Sequence, residues 1–342
     1  MKIRYIFSVL AFTLLISACN NDEWVFPDYR FNSAYFPLQT PVRTLILGQY
    51  DQGINENDNN HRFEMGLTMS GVYENEADRK VYFEIDNSLL NNVTNVQVLP
   101  EEFFNIEVES PVTIPAGSTK GRIPVQLTEA FFLDPMSFAP VNEVNYVIPL
   151  KITRVENLDS ILSGVSAAEN PDPVNPADWD VLPKDYMLYG IKFMNKYHGN
   201  YLRRGLDVVT DSNGDVAQNF YRKEYVEEDE VVMVTTSGYN SVILENIVRR
   251  GEASSPGSMT MELTFDESDN GTISSVEGDP YNINGTSTFV DDGDEWGGKV
   301  RDVIYLDYSY SDLDNNETHA VKDTLVIRDR AAVFEQFTPE LQ

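Results

Sequence analysis

Met261-Glu262-Leu263-Thr264-Phe265, then Asp266-Glu267-Ser268-Asp269-Asn270-Gly271, then Thr272-Ile273 is a strand, a turn and a strand. Met261, Leu263 and Phe265 alternate with polar residues, which is the period of a half-buried β-strand. Asp269-Asn270-Gly271 supplies the left-handed backbone that a tight hairpin needs. The same grammar extends outward. Ser212-Asn213-Gly214 is a second turn of this kind. Ile304, Leu306, Tyr308 and Tyr310 share one strand face, and Val321, Asp323, Leu325 and Ile327 alternate on the next. Roughly eight to ten such segments fit between Tyr186 and Arg330, enough to close an antiparallel β-barrel. No long helical periodicity and no internal repeat occurs.

The first half is also strand-rich. Lys80–Ile85, Phe104–Glu109, Val112–Ile114, Gly121–Leu127 and Tyr146–Ile152 show alternation or β-branched density between turn signals. This pattern predicts a β-sandwich with immunoglobulin-like topology. Pro124 and Pro149 cannot donate to a ladder, so edge strands or bulges are expected for them. Between the halves, Pro171, Pro173, Pro176 and Pro183 are too dense for helix or sheet. The expected organisation is therefore all-β: a sandwich over 30–156, a Pro-rich linker over 157–183, and a C-terminal barrel over 184–342.

The N-terminus reads as an export signal. Lys2 and Arg4 precede the apolar run Ile6–Ile16, and Ile16-Ser17-Ala18-Cys19 has the form of a lipobox. Cys19 is the only cysteine in the chain. It offers a thiol for a diacylglycerol and, after cleavage, an amine for a further acyl chain, which together give stable anchoring. Residues 1–18 are read as a signal peptide, 19–29 as a lipidated tether, and no disulfide is expected. The net charge of −30 falls to −32 once those 18 residues, with two cations and no acid, are removed. Such a field repels nucleic acid and anionic head groups and favours neutral ligands or cationic surfaces. Asn20-Asn21-Asp22-Glu23 resembles the surface-export signal of lipoproteins from the Bacteroidota. It implies an outer-membrane protein, lipid-anchored and facing the cell exterior.

Two further stretches carry a resemblance. Ala34-Tyr35-Phe36-Pro37, Pro41-Val42-Arg43-Thr44-Leu45 and Gly71-Val72-Tyr73-Glu74-Asn75 with Asp78-Arg79 resemble the N-terminal domain of a group of Bacteroidota lipoproteins. That domain of unknown function commonly precedes a glycan-binding module or a glycosidase in a polysaccharide-utilisation locus. Tyr189-Gly190-Ile191-Lys192-Phe193 with Tyr197-His198-Gly199-Asn200-Tyr201 is similar to the C-terminal domain often paired with it, a lipocalin-like or calycin-like barrel. The resemblance implies a surface accessory of glycan capture, working beside an outer-membrane glycan transporter complex. It implies no particular glycan and no binding residue.

Signatures of catalysis are missing from the sequence. A glycosidase needs two carboxylates flanking a bond, but with 55 acids a close pair arises by chance. The D-x-x-D-x-D-x-E run of chitinase-like relatives does not occur, and the residues after the linker are too few for a (β/α)₈ barrel. No serine-hydrolase elbow or phosphate-binding glycine loop appears. The chain is read as a non-enzyme without cofactor. His61, His198 and His319 lack metal-binding spacing. Asp211–Asp215, Asp312–Glu317 and Asp51–Asn60 place oxygens that suit Ca²⁺, but turn chemistry explains the same residues, so no metal site is expected. Aromatic residues in polar loops are the natural sugar platforms. Trp296, Tyr239 and Tyr281 are the candidates for contact with an oligosaccharide or polysaccharide. The competing reading for Trp296 is a cap on the barrel core. The competing function is a structural or adhesive surface lipoprotein, pilus-associated or part of an assembly.

Overall fold

The structure, a computed structural model, describes residues 28–248 and 257–342. The signal segment, Cys19 and the tether up to residue 27 lie outside the described residues. Strands make up 51% and helices 7%, so the chain is all-β as expected.

The first unit contains β1 (Ser33–Tyr35), β2 (Pro41–Ile46), β3 (Arg62–Ser70), β4 (Arg79–Ile85), β5 (Gln97–Val98) and β6 (Phe104–Ile106). It continues with β7 (Val112–Ile114), β8 (Lys120–Leu127), β9 (Tyr146–Glu156), β10 (Ser160–Ile161) and β11 (Tyr186–Met194). Two short helices, α1 (Glu56–Asn59) and α2 (Glu129–Leu133), join them. One sheet has the order β10-β1-β3-β8-β6, and the second carries β2-β11-β9-β4-β7. Met65, Leu67, Ile123 and Val125 of the first meet Val81, Leu150, Ile152 and Ile191 of the second in one buried core. Alternation puts these residues on one face of each sheet, and their burial stabilises the pair by roughly 25 cal/mol per Å² removed from water.

Three expectations are corrected here. Pro124 and Pro149 sit in interior strands, not on edges or bulges. Each is tolerated because its shorter neighbour has just ended: Glu107 N–H reaches Pro124 O at 2.9 Å, and Asp86 N–H reaches Pro149 O at 2.9 Å, both from beyond β6 and β4. The missing proline N–H therefore faces no strand. Secondly, Tyr186–Met194 belongs to the sandwich and not to the barrel. All nine residues of β11 are buried, the pattern of a strand covered on both faces. It pairs with β9 and, in parallel, with β2. Thirdly, 157–183 does not stand apart as a linker but packs back on the first unit. β10 pairs with β1, Val165 bridges Val181, and the Trp179 indole N–H donates to Asp172 O at 2.7 Å. Prolines exclude a ladder, but Asn175 and Asp172 still close turns on Ala177 and Val174.

The second unit runs from β12 (Gly199–Thr210) through β13 (Val216–Tyr221), β14 (Glu230–Thr236), β15 (Ser241–Val248) and β16 (Gly257–Phe265). It is completed by β17 (Asn270–Ser275), β18 (Asn284–Trp296), β19 (Lys299–Asp312) and β20 (Glu317–Asp329). β12 and β20 pair, which closes an eight-stranded antiparallel barrel, and β13 lies outside the ring on the far half of β12. The expected hairpin at Asp269-Asn270-Gly271 joins β16 to β17, with Asp269 at φ 62°. At the other expected turn the Asp211 carboxylate accepts from Asn213 N and Asp215 N at 2.8 and 2.9 Å. Those backbone donors hold its pKa below the usual range.

One end of the barrel interior is apolar, built on Tyr197, Tyr201, Phe265, Phe289 and Val234. The other is polar. Arg203 is buried and donates to Asp323 Oδ2 at 2.8 Å and to the Asn246 side chain. Tyr308 and Tyr221 hydroxyls also donate to Asp323. A buried ion pair survives desolvation only when its remaining bonds are satisfied, as they are here.

After β20 the chain returns to the first unit. β21 (Glu335–Gln336) pairs with β2, and Val93 bridges Leu341. Lys192 Nζ meets Glu335 Oε2 at 2.8 Å, both buried, and also donates to Pro140 O at 2.6 Å. The barrel is thus inserted between two strands of the sandwich sheet.

Candidate functional site

The barrel ends alternate along the chain in an antiparallel ring. The β14–β15 and β18–β19 connections lie at the end that meets the sandwich, and the β17–β18 connection lies at the other. Tyr239 and Trp296 are therefore brought to one end and Tyr281 to the opposite one.

At the sandwich-facing end, Leu47, Gly48, Asn59 and His61 of the first unit meet Asn195, Lys196, Tyr197, Tyr239 and Asn240 of the second around a cavity of about 280 Å³. Local chemistry fixes its walls. Asn195 donates to Gly238 O and Ser241 O at 2.9 and 2.8 Å, so one amide ties the β11–β12 turn to the β14–β15 turn. Asn59 accepts from Gly48 N at 2.8 Å. Gly48 has φ +85°, and a Cβ there would stand 2.5 Å from the Lys196 Cβ. Glycine is required by both conformation and contact. Lys196 Nζ is 2.7 Å from the Asp269 carboxylate, which also accepts from Tyr197 Oη at 2.8 Å.

Tyr239 is 39% exposed and lines the cavity. Its ring packs on Phe132 and Phe193 of the sandwich, with centroids 5.8 and 6.4 Å apart. His61 lies on the same aromatic group, 4.0 Å from Phe132. Burial lowers the His61 pKa, which favours the neutral ring. Among the described residues, no Asp or Glu lines this cavity. The lining brings together two tyrosines, three amides, one ammonium and one imidazole. That set can stack on an apolar ring face and hydrogen-bond neutral hydroxyls.

Trp296 ends β18 outside this cavity. Its indole N–H donates to Ile327 O at 2.9 Å, and the Arg301 guanidinium lies 4.4 Å over its ring. Arg301 in turn meets Asp51 of the sandwich at 3.0 Å. Tyr281 is buried, 8% exposed, with its ring edge-on to Tyr310 at 6.1 Å.

Sequence reasoning missed the partners of Tyr239, which come from both units. It also missed a wider opening in the barrel wall, about 550 Å³, lined by Glu230, Val232, Met233, Ile243, Glu245 and Asn246. It forms because the seven residues of β14 pair with β15 only over Val234–Thr236. Its carboxylates and aliphatic groups include no aromatic ring. His198 is held inside the fold, where Thr236 N–H donates to its Nδ1 at 3.1 Å.

Comparison with known proteins follows the same division. A family described as "-like, N-terminal domain" matches residues 29–159. DUF5627, a domain of unknown function, matches residues 196–331, the inserted barrel. No curated protein matches. A solved Bacteroides ovatus protein of unknown function is 34% identical, with 92% of this chain and 99% of that one covered and a TM-score of 0.82. A multidomain Bacteroides ovatus protein including DUF1735 is 13% identical over 89% of this chain and 97% of its own, with a TM-score of 0.42. An auxiliary nutrient binding protein from Bacteroides thetaiotaomicron is 14% identical over 86% and 95%, with a TM-score of 0.36. At 34% identity over 92% of its length, the chain belongs to the family of the first Bacteroides ovatus protein, and its barrel is similar to DUF5627 domains.

Proposed function

We propose that this chain is a non-catalytic, surface-displayed lipoprotein that binds a neutral oligosaccharide and assists its capture for uptake. In this reading the sandwich is an immunoglobulin-like spacer, the barrel is lipocalin-like, and Cys19 carries the lipid anchor at the outer membrane. The observation that supports binding is the Tyr239 face in the cavity between the two units, ringed by Asn59, Asn195, Asn240 and His61. Cavities between packed units are favoured ligand sites. The absence of a carboxylate pair from its lining fits binding better than glycoside hydrolysis, which needs an acid and a partner carboxylate. The strongly negative chain favours a neutral ligand.

The test is a broad glycan array probed with the purified chain, followed by calorimetric titration of any hit. A neutral oligosaccharide should bind with a Kd in the micromolar to millimolar range, about −8 to −4 kcal/mol. An array without a hit would remove the proposal. Anchoring is tested separately. Cys19→Ala should move the protein from the detergent phase to the aqueous phase, and retention in detergent would refute the lipid anchor.

A further inference from the structure

At the barrel end away from the sandwich, β19 and β20 meet in a hairpin, and Asp312 pairs directly with Glu317. His319 stands two residues further on, with its side chain inward and 1% exposed. One ligand atom from each of Asp312, Glu317 and His319 lies within 4.8 Å of the others. Acidic groups in a turn are ordinary. The histidine is not.

His319 Nδ1 lies 2.8 Å from Asp207 Oδ2 on the neighbouring strand β12. An ionised carboxylate can only accept, so Nδ1 carries the hydrogen. The opposite nitrogen, Nε2, is buried and has no hydrogen-bond partner. It faces Glu317 Oε2 at 3.7 Å, beyond hydrogen-bond reach. The ring cannot easily turn away, because Tyr310 stacks on it with centroids 4.2 Å apart and planes 8° apart. A carboxylate on one nitrogen and acidic oxygens opposite the other is the arrangement that orients a metal-binding imidazole. Ligand atoms about 2.0–2.2 Å from a tetrahedral ion stand roughly 3.3–3.6 Å from each other. The 3.7 Å gap between Nε2 and Glu317 is close to that separation. Glu317, at the barrel mouth with its side chain 24% exposed, has room to close the rest.

We propose that Asp312, Glu317 and His319 bind a divalent transition-metal ion, Zn²⁺ foremost, with Asp207 positioning His319. One imidazole with two carboxylates suits Zn²⁺, whereas Ca²⁺ takes oxygen ligands alone. The site is independent of the cavity at Tyr239, at the other end of the barrel. Asp312 stands on β19 and Glu317 and His319 stand two apart on β20, so the hairpin pairing brings the three together.

The experiment is equilibrium dialysis of the purified chain against ZnCl₂, with bound metal measured by elemental analysis and folding checked by circular dichroism. One Zn²⁺ per chain is expected, retained against a tenfold excess of Ca²⁺. His319→Gln should abolish it. Glu317→Gln, at a half-open position that the fold tolerates, should weaken it at least tenfold. Asp207→Asn should weaken it by about 10–100-fold without removing a ligand. If His319→Gln does not fold, Glu317→Gln decides. No stoichiometric zinc, equal binding by wild type and Glu317→Gln, or displacement by Ca²⁺ would each overturn the site.

Discussion

The guanidinium of Arg330, at the end of the barrel, donates to the carbonyl oxygen of Leu47 in the sandwich, 2.9 Å away. The same side chain reaches Gln49 O at 2.7 Å, His198 O at 2.8 Å and Asn195 O at 2.6 Å. Arg330 is buried, and these four hydrogen bonds end on backbone carbonyls of both units. Burial lowers its pKa. Arg330→Ala should leave those carbonyls unsatisfied and cost about 2–4 kcal/mol. Calorimetry would show a lower melting temperature, and a change within experimental error would mean that the contact is not needed for docking.

Tyr239→Ala should remove the stacking face and weaken oligosaccharide binding by roughly 1–3 kcal/mol, by analogy with base–aromatic stacking. Tyr239→Phe keeps the face and should keep most of the affinity. Trp296→Ala should chiefly lower stability, because its indole N–H is held by Ile327 O. Titration and melting of the three variants separate the roles. Affinity lost with Trp296 and kept without Tyr239 would move the site to the β18–β19 hairpin.

His198 supplies a pH dependence. Burial, with Arg330 and Lys192 nearby, takes its pKa down to about 3 from an ordinary value near 6.5. The unfolded chain then binds a proton over this window that the folded chain refuses. Stability from this group is complete above pH 6.5 and falls as the pH drops toward 3, by about 5 kcal/mol in all. Denaturant titrations between pH 6.5 and 4.5, above most carboxylates, should show the decline. His198→Gln should flatten it; an unchanged slope would count against a neutral buried ring.

The polar half of the barrel invites a pair of substitutions. Arg203→Met leaves Asp323 buried without its charge partner and should cost about 3–5 kcal/mol. Arg203→Met with Asp323→Leu should recover much of that loss, since an apolar pair has no charge to desolvate. Urea midpoints measure both. A double variant weaker than the sum of its singles would show that the pair holds the barrel together.

Much of this architecture was legible in the sequence. Period-two alternation at Met261–Phe265 and Ile304–Tyr310, with Asn-Gly turns, predicts the barrel because each strand hides one face. Asp323 was visible too, as a charge in register with Val321, Leu325 and Ile327. The ownership of β11 was not. Its run is apolar on both faces and carries no direction toward either unit; only pairing with β2 and β9 assigns it. The Tyr239 cavity was half legible. A tyrosine in a polar loop is a visible candidate, but Phe132, His61 and Asn59 reach it through tertiary packing across more than a hundred residues of chain. The Asp207–His319 contact likewise depends on the closure of β12 onto β20.

Because β21 completes a sheet begun at Pro41, the first unit is finished only after the barrel. A chain made from its N-terminus presents the barrel before the tail that seals the sandwich edge exists. Glu335, the partner of Lys192, is made 143 residues after it, once the whole barrel is out. Until then a lysine destined for the interior has no counter-charge, so loss of β21 should be felt at the start of the fold rather than in the barrel beside it.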